Sequence, residues 1–150
     1  MVEHCLNYEH EVRFKVDSNV QLEYIEQAYE NDAGFDLFVS RDVVIKAGHA
    51  EDVPTGVFIE PEEGLYTTIM GRSSTFRERG ILVSMNLIDS GYRGEVNAVA
   101  YNFTHGTVRI HAGERICQLV FHRLIPVKCK KVLRLNSSMR GEKGFGSSGL

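Results

Sequence analysis

The strongest constraint on the fold is how often this chain interrupts its apolar runs. In EVRFKV, Val12, Phe14 and Val16 share one face while Arg13 and Lys15 share the other, the two-residue period of a half-buried strand. β-rich runs recur at short intervals: LFV at Leu37, VVI at Val43, VFI at Val57, LYTTIM from Leu65, ILVSM from Ile81, VNAVAYNF from Val96, TVRI from Thr107, RICQLVFHRL from Arg115 and VKCKKVLRL from Val127. Many short strands between polar breaks predict an all-β sandwich, barrel or jelly roll. Two stretches read as helical: Leu22 to Tyr29, and SSTFRER, where a Ser can cap the start and Gly80 can end the helix.

A length of 150 residues fits one domain. With 17 Lys+Arg against 20 Asp+Glu the net charge is -3, so direct DNA or RNA binding is not expected and any phosphate ligand must be gripped locally. No apolar run approaches the ~20 residues of a membrane span, and the N-terminus lacks the pattern of a secretory signal. A cytoplasmic protein without membrane contact is expected. Cys5, Cys117 and Cys129 are far apart and form no CxxC, so reduced thiols are expected. Cys117 and Cys129 fall in apolar runs and are expected in the core.

NLIDSGYRGEV carries the sharpest local signal. Ser90-Gly91 between apolar runs predicts a two-residue hairpin turn, with Asp89 and Tyr92 as its closing pair on one face. Such a pair can be structural, a turn carboxylate and a ring packed at a rim. It can equally be a general base beside a ring that lies under a sugar. GRSS (71–74) closes a strand and opens the short helix; a guanidinium, two hydroxyls and backbone N–H groups suit a phosphate, although the tetrapeptide also serves as an ordinary helix entry. The glycine-rich end RGEKGFGSSGL reads either as a linker or as a segment that lays Phe145 on a base and amides on phosphates. Asp36, after a Gly at a strand start, could act as a lone ligand toward Mg2+, which keeps most of its waters. The histidines show no metal-ligand spacing, and His49-Ala50-Glu51 lacks the PCxxC that would complete a zinc deaminase signature. GxSxG, HExxH and Walker A patterns do not occur.

Taken in order, AGFDL (33–37), GRSS (71–74), NLIDSGYRGEV (86–96), GERICQLV (113–120) and RGEKGFGSSG (140–149) resemble the five motifs of the trimeric dUTPase family. The resemblance implies a jelly-roll-like distorted β-barrel with one short helix. It implies a single domain over 1–150 whose residues 136–150 form a C-terminal arm closing over an active site. The implied activity is hydrolysis of dUTP to dUMP and pyrophosphate by water attack on the α-phosphate with Mg2+, in a homotrimer with sites shared between subunits. Such an enzyme limits uracil in DNA, supplies dUMP for dTMP synthesis, and is compatible with a further protein partner.

Carried over by position, Asp89 resembles the base that activates water, and Tyr92 the ring that packs on deoxyribose and excludes a 2′-hydroxyl. Asn86, Leu87, Ile88 and Asn97 correspond to the uracil-reading hairpin, and Phe145 to the ring stacked on uracil. Arg72, Ser73, Ser74, Gln118, Arg140, Gly146, Ser147 and Ser148 correspond to phosphate contacts, and Asp36 to an acid near the metal's waters. Asn86, Lys143 and Ser148 depart from commoner Gly, Gly and Thr. The related dCTP deaminases place a proton-shuttling Glu where this chain has Val99, which argues against deamination. The intact Asp89, Tyr92, Arg140 and Phe145 argue against a non-catalytic nucleotide sensor.

Overall fold

A computed structural model describes residues 10–23 and 25–142. The strands are β1 (Val12–Val16), β2 (Gly34–Phe38), β3 (Val43–Ile45), β4 (Ala50–Pro61), β5 (Leu65–Gly71), β6 (Ile81–Val83), β7 (Asn86–Ile88), β8 (Glu95–Asn102), β9 (Val108–Ile110) and β10 (Arg115–Arg123), with one helix, α1 (Ser73–Arg79). They build one sheet of order β1-β4-β8-β6, a second of order β2-β10-β5-β7, and a β3-β9 ribbon. All these pairings are antiparallel. The fold is all-β, as the strand spacing predicts, and it is the jelly-roll-like distorted barrel that the family resemblance implies.

Alternation fixes which face is buried. Along β8, Val96, Ala98, Ala100 and Asn102 point inward while the residues between them are half exposed. They meet Val53, Val57 and Ile59 of β4, and Leu37, Ile69 and Leu119 of the second sheet, in one core. Asn102 is fully buried at the end of β8. Its amide donates to the carbonyls of Ile45 at 2.9 Å and Gly106 at 2.8 Å, while Oδ1 accepts from Thr104 N and Oγ1. A polar side chain is tolerated there because every donor and acceptor is paired.

Three local expectations change. The described residues between Leu22 and Tyr29 form no helix: Leu22 and Ile25 pack on the core, Gln27 bridges to Phe35, and Tyr29 N donates to the Asp32 carboxylate. Local side-chain bonds and an extended contact win over weak helical patterning. VKCKKVLRL forms no strand, and Leu133 and Leu135 stand almost wholly exposed. Alternation alone is insufficient without a neighbouring strand to complete the ladder. Cys129 is accordingly exposed, while Cys117 is buried as expected. At α1 the N-cap is Arg72, with no side-chain cap bond, whereas Gly80 ends the helix in the left-handed conformation (φ 64) as expected. Among the described residues, no helix is long and apolar enough to cross a membrane.

Candidate active site

The NLIDSGYRGEV segment departs from a simple hairpin. β7 pairs with β5, through Ile69↔Asn86 and Thr67↔Ile88, whereas β8 pairs with β4 and β6. Residues 89–94 therefore cross from one sheet to the other. The turn itself is present: Tyr92 N donates to Asp89 O at 3.0 Å, with Ser90 and Gly91 in the centre. Asp89 and Tyr92 still face the same cavity, because the turn brings their chain positions together.

Several contacts hold this crossing in shape. The Tyr92 ring lies across Gly94, so closely that a β-carbon there would sit 2.2 Å from Oη and 2.4 Å from Cζ. Tyr92 Oη donates to Glu95 O at 3.0 Å. Arg93 donates to the carbonyls of Ser90 and Tyr92 and reaches Glu60 at 3.3 Å. Glu95 accepts a hydrogen bond from Gly56 N at 2.8 Å, tying the base of the crossing to β4. Motif reading singled out neither Arg93 nor Glu95. Their roles arise from contacts with residues distant in sequence.

The cavity beneath measures about 320 Å³. Ile69, Ile88, Val96 and Val99 supply apolar wall, and Asn86, Leu87, Asp89, Tyr92 and Asn97 also line it, with the carboxylates of Asp52 and Glu95. A cleft that sets an apolar wall against convergent polar groups suits a small planar ligand. Asp89 is exposed to solvent at this cavity, so its carboxylate can meet a water.

A second cluster occupies the β2-β10-β5 part of the other sheet. Asp36 lies opposite Gln118 in the β2-β10 register. Its Oδ1 is 3.0 Å from Arg72 Nε and its Oδ2 3.3 Å from Arg115 Nη1. The Gln118 side chain lies over Gly34, where a β-carbon would be 1.8 Å from Oε1. Ser73 is exposed and Ser74 half-buried in the first turn of α1. Thr75 Oγ1 and Arg72 N both donate to Ile116 O, fixing this corner to β10. Burial, reinforced by the Asp36 charge, pushes the Cys117 thiol up to about 12, so Cys117 is no nucleophile at neutral pH.

The described residues expected in the nucleoside pocket thus come together, and Arg72 and Gln118 gather near Asp36. None of Asp36, Arg72 and Gln118 lines the nucleoside cavity, and Asp36 borders a different one together with Arg115. Arg140 stands in an exposed turn where Gly141 N donates to Ser138 O. Lys143, Phe145, Gly146, Ser147 and Ser148 lie outside the described residues.

The dUTPase family profile matches residues 21–149. The deoxyuridine 5'-triphosphate nucleotidohydrolase of Clostridium tetani is 36% identical over 124 residues, covering 81% of this chain and 86% of that protein. Its counterpart in Paramecium bursaria Chlorella virus 1 is 39% identical over 121 residues, with the same two coverages. Among solved structures, the Staphylococcus bacteriophage 80alpha dUTPase with dUpNHpp superposes with a TM-score of 0.86 at 27% identity, covering 93% of this chain and 99% of that one. A mutant dUTPase from phage phi11 of S. aureus, studied for coordination of a structural Mg(II) ion, shares the fold with a TM-score of 0.76 at 20% identity, covering 83% of this chain and 97% of that one.

Proposed function

This chain belongs to the dUTPase family and its activity is dUTP hydrolysis, and from that premise we propose that Asp89 takes a proton from a water as it attacks the α-phosphorus, releasing dUMP and pyrophosphate. The observation that carries this reading is the convergence of Asn86, Leu87, Ile88, Asp89, Tyr92 and Asn97 on one cavity. An exposed carboxylate within hydrogen-bond reach of a water can serve as base, an effect worth about 10²–10⁴-fold.

Uracil lies against the main chain of β7. Because β7 is the edge strand of its sheet, one side of its backbone is not used by β5, and these fixed donors and acceptors can read a base edge. A base presenting the wrong donor leaves buried polar atoms unpaired, which rejects cytosine. The Tyr92 ring packs on deoxyribose and leaves no room for a 2′-hydroxyl. Val99 forms part of the same wall and carries no proton, which supports hydrolysis over deamination.

Arg72, Ser73, Ser74, Gln118 and Arg140 bind the phosphates, joined by Gly146, Ser147 and Ser148, while Phe145 stacks on uracil. Residues 136–150 act as the closing arm of a single domain spanning 1–150. The separation of the nucleoside cavity from the Arg72 cluster within one chain supports a site assembled between copies of a homotrimer. So does the exposed apolar side of the segment from Leu124 to Leu135, which calls for a covering surface.

Among the described residues, no three His, Cys, Asp or Glu side chains converge as a metal cage. Both oxygens of Asp36 face guanidinium groups, so Asp36 does not fit a contact to the metal's waters in this arrangement. Mg2+ would take its shell from triphosphate oxygens and water, and would neutralise phosphate charge. In a cell the reaction would limit uracil incorporation and supply dUMP.

The test is pyrophosphate release with Mg2+, expected to be much faster from dUTP than from dCTP, dTTP or UTP, and to fall about 10²–10⁴-fold in Asp89→Asn. Binding of dUTP without cleavage by the unmodified protein would instead identify a sensor. Light scattering should report three chains.

A further inference from the structure

Asp36 has a more specific use than a lone acid. Its carboxylate is 11% exposed and is approached by two arginines from different elements, Arg72 before α1 and Arg115 at the start of β10. Each oxygen receives one guanidinium, at 3.0 Å and 3.3 Å. The trio carries one net positive charge, and the arginines are its more exposed members, 29% for Arg72 and 46% for Arg115. The excess charge therefore faces solvent.

The geometry is directional. Arg72 uses Nε toward Asp36 and Nη1 toward Arg115 O, at 3.4 Å. A guanidinium has five donors in a rigid plane, so holding it by these two nitrogens fixes the plane and leaves further N–H bonds for an incoming anion. Arg115 lies over the Phe38 ring at 5.8 Å and binds the second carboxylate oxygen. It thereby sets the rotation of the carboxylate that grips Arg72. A dication beside the same carboxylate would be repelled by both guanidinium groups.

We propose that Asp36 and Arg115 are positioning residues for Arg72: Asp36 aims the Arg72 guanidinium at the triphosphate, and Arg115 fixes the rotation of the Asp36 carboxylate. This rests on Arg72 being a phosphate ligand.

The experiment uses the full chain and two probes, inorganic pyrophosphate and deoxyuridine, alongside dUTP turnover at varied Mg2+. Asp36→Asn should weaken pyrophosphate binding and raise the dUTP KM about tenfold, while deoxyuridine binding and the Mg2+ concentration for half-activity change less than about twofold. Arg115→Met should act in the same direction, and Arg115→Lys should recover part of the loss. In an Arg72→Met background, Asp36→Asn should have no further effect on pyrophosphate. Should Asp36→Asn disturb folding, the Arg115→Met and Arg115→Lys pair, at a more exposed position, carries the same comparison.

A raised Mg2+ requirement with unchanged pyrophosphate binding would overturn the proposal in favour of a metal contact. So would an undiminished effect of Asp36→Asn in the Arg72→Met background. Failure of the unmodified protein to cleave dUTP counts against the hydrolytic reading alone, because pyrophosphate titration by calorimetry still tests the link between Asp36 and Arg72.

Discussion

Replacing Gly94 by alanine is the cleanest way to move the Tyr92 ring without touching it. The Gly94 backbone lies outside the left-handed region, so alanine incurs no conformational penalty there. The added β-carbon would lie 2.2 Å from Tyr92 Oη, 2.4 Å from Cζ and 2.9 Å from Cε2. To reach ordinary van der Waals separation the hydroxyl end of the ring must withdraw by roughly 1 Å. That breaks the 3.0 Å bond to Glu95 O, worth about 1 kcal/mol. Misplacement of a substrate-orienting group by this distance can cost about 10²-fold. Steady-state pyrophosphate release should therefore show kcat/KM for dUTP falling about 30- to 100-fold, with UTP changing little, so that discrimination between the two collapses. Tyr92→Phe, which keeps the ring over Gly94, should lose less than about fivefold. If Gly94→Ala melts cooperatively and keeps the dUTP-to-UTP ratio within twofold, the ring is not the steric gate and the argument fails.

Other perturbations probe the scaffold. Gly34→Ala should displace the Gln118 side chain, whose Oε1 would be 1.8 Å from the new carbon; dUTP KM should rise as it does in Gln118→Ala, while stability changes by less than about 1 kcal/mol because a flexible side-chain end can yield. Asn102→Ala should cost about 3 kcal/mol in urea denaturation, since it removes the buried hydrogen bond to the Ile45 carbonyl and the acceptor of Thr104 N. Of Cys117 and Cys129, a disulfide exchange reagent should label Cys129 in the native protein and Cys117 only after unfolding. With the Cys117 thiol raised from 9.0 to about 12, the unfolded chain sheds this proton first on alkalinisation. The associated stability is thus complete below pH 9 and declines as pH rises toward 12.

The strands were largely legible because a two-residue period is a local property, and β1, β5, β8 and β10 coincide with their apolar alternation. Pairing is not local. Asn86 to Ile88 look like half of a hairpin until β5 takes them into the opposite sheet. VKCKKVLRL has the strand period, yet a strand forms only where another backbone receives its hydrogen bonds. Site residues were legible through ordered motifs, which name Asp89, Tyr92 and Arg72 but not their supports. Arg93 stapling the turn, Gly94 seating the ring and Arg115 sharing Asp36 arise from register and packing between elements. A motif string does not encode these.

The passage of residues 89–94 between sheets also sets how long that segment can be. Stacked sheets lie about 10 Å apart, and an extended chain covers about 3.3–3.6 Å per residue, so roughly three residues suffice to make the span. The surplus is taken up by the turn closed between Asp89 and Tyr92. Removing Ser90 and Gly91 would leave the span intact while abolishing the turn, and only deletion of more than one further residue would pull the sheets together. Loop grafts at this position must therefore conserve length before composition, because sandwich thickness and turn geometry together use nearly the whole segment.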